Sequence, residues 1–209
     1  MSLERPQPPV ELLASPLAMF APAPDLLEWA RATFIEDEAS LLNEDHAHLR
    51  AADIGFLWTN VPNSRNQNRI VGQAELGTPR AMGKWAKARA ESQVETWFGS
   101  VPDFLITIDA RYASECADAE FCSLIEHELY HCGQERNEFG LPKFTKWGRP
   151  VFAMRGHDVE EFVGIVRRYG VGAAAGQTLA LVEAARRRPE IASVDISQAC
   201  GTCLTRMAA

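Results

Sequence analysis

Apolar positions along the chain follow two rhythms, one near 3.6 residues and one of short continuous runs. Between residues 24 and 50, Leu26, Leu27, Trp29, Ala30, Phe34, Leu41 and Leu42 recur at near-helical spacing behind a Pro24-Asp25 start signal, which predicts one or two helices. Residues 54–58 form a short apolar, aromatic run, residues 60–64 carry turn chemistry, and a second run covers 70–76; together they predict a β-hairpin. Residues 84–98 predict a helix closed by Gly99, with Trp85, Ala88, Val94 and Trp97 on offer for burial. A strand is predicted over 104–108, then one long helix from 113 to 138 with its stop at Gly140. Pro142, Gly148, Pro150 and Gly156 make 141–156 a loop, followed by a helix from Asp158 to Gly170 and a last one over 177–188.

This alternation of helices with few strands reads as α+β, without internal repeats. The division it suggests is a flexible Pro/Ala-rich leader over 1–23, one folded domain over 24–190, and a tail over 191–209 that carries Cys200-x-x-Cys203.

Composition narrows the class. With 46% hydrophobic and 23% charged residues in 209, the chain has the make-up of a folded soluble domain. Its formal charge of −7 argues against a broad phosphate-binding surface, so nucleic acid is not an expected partner. The Arg186-Arg187-Arg188 run reads as cations complementing a helix C-terminus. No apolar run approaches the ~20 residues of a membrane span, and Pro6, Pro8 and Pro9 interrupt any signal-like start, so a cytoplasmic protein without a membrane partner is expected. Five cysteines, an odd number, suit reduced thiols in such a compartment. Nothing in the composition specifies an oligomeric state.

The chemistry concentrates in His127-Glu128-Leu129-Tyr130-His131. Inside a helix, residues four apart share a face one turn apart, so both imidazoles can reach one ion. Zn2+ takes neutral imidazole nitrogens, and a catalytic zinc keeps its fourth position for water after three protein ligands. Glu128 stands where a carboxylate can take a proton from that water, which makes it the expected general base for hydrolysing a protein or peptide substrate. His157, at the start of the next predicted helix, is the expected third ligand, with Glu160 and Glu161 as carboxylate alternatives. Asp158 reads equally as a helix cap or as a residue orienting a ligand. Arg155 and Tyr130 could face a developing oxyanion, although an exposed Arg and a packed Tyr are the commoner outcomes. His46 and His48 close a polar helix end and read as surface residues. Cys122 and Cys132 read as packing residues, and Cys200 and Cys203 lack two further recognisable ligands for a structural site.

The chain also resembles the phage-type metallopeptidases, a zincin-like family of phage and bacterial genomes that is similar in outline to the SprT-like proteins. The likeness rests on residues 103–108, on Glu126-His127-Glu128-Leu129-Tyr130-His131-Cys132, on residues 156–162 and on residues 43–49. It implies a small sheet packed against the active-site helix with flanking helices, zinc on His127, His131 and His157, and Glu128 as catalytic acid/base. The four-cysteine ribbon of many SprT-like proteins is matched here only by Cys200 and Cys203, which puts a DNA-targeting role in doubt. Two rival readings stand beside the peptidase. One is a non-catalytic zinc-binding or interaction domain, which would show a fourth protein ligand closing the site; the other is a protease acting on DNA-associated proteins through Arg186–188.

Overall fold

In the computed structural model, which describes residues 4–65, 67–159, 166, 170–171, 176–194 and 199–202, packed structure begins well before Pro24. Helix α1 (Val10–Ala14) buries Leu12, and β1 (Phe20–Pro22) pairs antiparallel with residues 57–59. Arg5 donates to the carbonyls of Ala113 and Cys116 at 3.1 and 3.2 Å, and its guanidinium lies 4.7 Å from the centre of the Phe121 ring. Leu12 and Arg5 attach this Pro- and Ala-rich stretch to the rest of the molecule, which composition alone does not reveal.

Helix α2 (Pro24–Ala30) starts at the predicted proline and runs into a π-helical turn over Arg31–Ile35. Leu26, Trp29, Ala30, Phe34 and Ile35 all face the core. A 3-10 helix over Glu44–Ala51 follows, capped by the Asn43 side chain, which accepts from the Asp45 N–H at 3.0 Å.

The strands depart from the predicted pairing. β2 (Ile54–Thr59) leads into a small hairpin of β3 (Asn63–Arg65) and β4 (Asn68–Ile70), and β5 (Gly72–Leu76) comes next. β6 (Phe104–Asp109) inserts between β2 and β5, parallel to the first and antiparallel to the second, so the mixed four-stranded sheet has the order β1-β2-β6-β5. Every residue of β2 is buried. A strand apolar on both faces is satisfied only in the middle of a covered sheet, and a local β2–β5 hairpin would not supply β2 with β6.

Helix α3 (Lys84–Phe98) ends as predicted at Gly99, whose φ of 78° makes a left-handed cap with its N–H on the Glu95 carbonyl at 2.7 Å. Its Phe98 ring fills the space beside Gly55, where a Cβ would stand 2.8 Å from the ring. Val94 is buried, whereas Trp85, expected to contribute to the core, is 85% exposed.

The single helix predicted over 113–138 is two helices, and it stops early. Asp109 caps α4 (Ala110–Glu115) by accepting from the Tyr112 N–H at 3.0 Å, and Glu120 fixes the first turn of α5 (Asp118–His131) by accepting from the Ala117 N–H at 3.0 Å. After His131 the chain extends into β7 (Cys132–Gln134), which pairs antiparallel with β8 (Phe152–Met154) inside the region expected to be loop. The ladder to β8 replaces the helical hydrogen bonds that continuation to Gly140 would have made. The last described helix, α6 (Gln177–Ala185), matches the start of the predicted one, while most of the helix predicted over 158–170 lies outside the described residues. The architecture is α+β.

Helix α5 crosses the sheet at β5, and Gly72 is the point of closest approach. A Cβ there would stand 2.7 Å from Leu124 Cδ1 and 2.9 Å from Glu128 Oε1. Gly72→Ala is therefore expected to cost about 1–3 kcal/mol through overpacking, seen as a lower urea midpoint at an unchanged slope.

Candidate metal centre

The end of α5 brings His127 and His131 together, with their Nε2 atoms 3.2 Å apart and their ring centres 4.9 Å apart. Two imidazoles held tetrahedrally on one zinc at ~2.0–2.1 Å would have their nitrogens about 3.3 Å apart. His131 Nδ1 lies 2.8 Å from the Arg155 carbonyl. A carbonyl only accepts, so the proton sits on Nδ1, and the Nε2 lone pair of neutral His131 faces His127. The Arg155 N–H in turn donates to the His131 carbonyl at 2.9 Å. These two bonds staple the chain beyond β8 to the end of α5 and deliver His157, whose ring centre lies 5.3 Å from that of His127 and 5.4 Å from that of His131. Three imidazoles radiating from one ion have centres roughly 5 Å apart.

A residue that the sequence did not place joins them. Cys200 is fully buried, and its Sγ lies 3.5 Å from His131 Nε2. The ligand atoms of His127, His131 and Cys200 all lie within 4.8 Å of one another. For a thiolate at ~2.3 Å and an imidazole at ~2.05 Å on a tetrahedral ion, the expected S···N separation is about 3.6 Å. The Cys-x-x-Cys pair was a visible signal, but its partners are distant in sequence, and Cys203 lies outside the described residues.

Glu128 is wholly buried, and its Oε1 has no hydrogen-bond partner among the described residues. Its Oε2 is 3.5 Å from the Thr202 hydroxyl. Burial, and after it the neighbouring Cys200, push the Glu128 pKa well above the ordinary carboxylate value, and His131 only partly opposes them. An unsatisfied buried carboxylate is costly unless positive charge is close. Imidazole lone pairs, a thiol and this carboxylate form a donor set that suits a divalent cation, so the residues present fit a metal ion.

Other expected participants are placed elsewhere. Tyr130 OH contacts Asp45 at 3.1 Å and accepts from Asn43 at 2.8 Å, on the side of α5 toward the 3-10 helix. Asp158 forms an ion pair with Arg155 at 2.6 Å, so it acts next to the residue whose carbonyl orients His131. Glu160 and Glu161 lie outside the described residues. Cys132 is fully buried, with its thiol donating to the Glu128 carbonyl at 3.4 Å, while Cys122 is half-buried.

The surface positions expected for His46 and His48 are overturned. His48 Nε2 lies 2.7 Å from the Cys132 carbonyl, and His46 is 1% exposed, edge-on to Tyr130. The 3-10 helix packs against α5 and β7, which a polar-looking segment does not advertise. Burial is the main cause that lowers the His46 pKa to about 4 from an ordinary 6.5. Between those values the unfolded chain holds a proton that the folded one lacks, so stability should fall as pH drops through 6.5 toward 4, by roughly 3 kcal/mol from this group. Urea unfolding at pH 7 and pH 5 should register about 2 kcal/mol of this loss, and His46→Phe should flatten it.

With the geometry established, comparison with known proteins adds a family. A family model described as putative phage metallopeptidase matches residues 27–186, most of the chain and all of α5. The chain belongs to this family. No curated protein and no solved structure matches it. The phage metallopeptidase match spans His127, Glu128, His131 and His157, and residues 199–202 lie outside it. No described helix is long and apolar enough to cross a membrane.

Proposed function

We propose that the chain is a zinc-dependent peptidase with a zincin-like site, in which His127, His131 and His157 hold the metal and Glu128 is the general base. The observation that carries this reading is Glu128 itself: a fully buried carboxylate with an unsatisfied oxygen, one residue from an imidazole pair at ligand spacing. A structural site has no use for an acid/base group there.

A bound zinc ion would supply Lewis acidity, polarising a peptide carbonyl and making water acidic enough to lose a proton near neutral pH. Glu128 accepts that proton and delivers it to the departing amine. The surrounding burial favours its protonated form, which suits a group that must return what it takes. The Arg155 carbonyl holds His131 in the tautomer that presents Nε2, and the Arg155–Asp158 pair steadies that segment beside His157.

One observation favours a second reading. Cys200 stands at ligand distance from His131, and a fourth protein ligand would close the site and make the metal structural. Elemental analysis of untagged protein tests the common ground. About one zinc per chain is expected in wild type, with loss in His127→Ala, His131→Ala and His157→Ala. Zinc retained in His157→Ala would remove His157 from the ligand set, and a metal-free wild type would sink the proposal.

A further inference from the structure

Strand β5 is the edge of the main sheet beside the metal centre, and its outer rim is already occupied by this chain's own residues 199–202. The Val71 N–H donates to the Ala199 carbonyl at 2.8 Å, and Gly72 bridges Cys200 in parallel register. The Thr202 hydroxyl accepts from the Ala74 N–H at 2.9 Å and donates to the Ala74 carbonyl at 2.7 Å, so it satisfies the edge as a peptide backbone would. Gly201 presses so closely on β5 that a Cβ would stand 2.6 Å from Gln73 Oε1 and 2.9 Å from Ile70 Cγ2. Where Thr202 sits, a depression of about 330 Å³ follows the rim, lined by Ala74, Leu76, Arg80 and Met154 among others.

An exposed strand edge next to a hydrolytic centre is a ready template for an extended peptide, which binds by adding a strand. The internal segment fills that template and at the same time brings Cys200 Sγ to 3.5 Å from His131 Nε2, at the spacing of a metal ligand. Ala199, Cys200, Gly201 and Thr202 carry small side chains, so the segment is held on the β5 edge by the hydrogen bonds of Ala199 and Thr202 more than by apolar burial.

We infer, resting on the peptidase reading, that residues 199–202 are a removable internal plug: an intramolecular occupant of the peptide-binding edge whose Cys200 closes the metal site until it is withdrawn. On closure the thiol gives its proton to solvent and its sulfur takes the fourth position. On opening the sulfur leaves, is reprotonated, and water and an extended peptide take over the metal position and the β5 edge. The inference gives the rival structural reading a distinct meaning, because a plug can be removed without losing the metal and a structural ligand cannot.

Cobalt(II) substitution of the full-length chain tests this, because thiolate ligation gives a near-ultraviolet charge-transfer band. Wild type is expected to bind one cobalt and show the band. Cys200→Ser is expected to keep the cobalt, lose the band, and show at least ~10-fold tighter spectral response to acetohydroxamate, since the open state goes from minor to dominant. Thr202→Val, which leaves the metal ligands intact, is expected to speed iodoacetamide labelling of Cys200. Loss of cobalt from Cys200→Ser would make the cysteine a permanent ligand and overturn the plug. Cobalt bound by wild type without the band, or equal acetohydroxamate response in both proteins, would overturn it too. No cobalt in wild type would remove the metal reading underneath. An open, hydroxamate-responsive Cys200→Ser protein that cleaves no peptide would sustain the plug and defeat the peptidase reading.

Discussion

Glu128→Gln is expected to lower peptide cleavage by ~10²–10⁴-fold, the usual contribution of a positioned general base, while metal content stays at the wild-type level. The comparison belongs in a Cys200→Ser background, which removes the sulfur of the inferred plug. The same substitution should raise the stability of the metal-free protein. Glu128 has a folded-state pKa well above its ordinary 4.5, so its stabilising protonated form is fully present below that value and is lost as pH rises through the raised pKa. In the metal-free wild type Glu128 stays buried with an unpaired oxygen, whereas glutamine has no proton to lose and no charge to desolvate. The gain should be about 1–3 kcal/mol, or several degrees in melting temperature at roughly 2–4 °C per kcal/mol for a chain of this size. Equal cleavage by both proteins would remove Glu128 from the chemistry. Loss of activity with unchanged metal-free stability would leave the base role standing and refute the account of its burial.

Removing the metal should have the other large effect. A ligand that binds only the folded state at a thousand times its dissociation constant stabilises by about 4 kcal/mol, so chelation should lower the melting temperature by roughly 8–16 °C. The direction follows from what the ion leaves behind: an imidazole pair with facing nitrogens at 3.2 Å, and Glu128 without its counter-charge. His131→Ala should melt near the chelated wild type and respond no further to chelator. Calorimetry of the two proteins with and without chelator checks this, and an unshifted wild type would show that the fold does not depend on an ion at this site.

The parts of this protein legible in its sequence are those governed by contacts within a few residues. Helical spacing alone puts His127 and His131 on one face of α5 with Glu128 between them, because 3.6 residues per turn leaves no other arrangement once the segment is helical. The Gly99 cap and the start of α2 at Pro24 are read equally well, since backbone preference at one residue decides each. The early end of α5 is not local: β8, twenty residues on, offers Cys132 a ladder that competes with the helix. Sheet order is not local either, because β2 gains more from burial on both sides by β1 and β6 than from the nearer β5. His46 is buried by packing against α5 that its polar neighbours conceal.

The same division runs through the site. Sequence by itself determined the pair of imidazoles and the carboxylate between them, a set that one helix turn assembles. Tertiary structure alone decided that the Arg155 carbonyl orients His131, that His157 faces the pair, and that Cys200, 69 residues beyond His131, comes within 3.5 Å of it along the rim of β5. These last contacts depend on where the ends of distant segments meet, and residue spacing carries no information about that until the sheet is built.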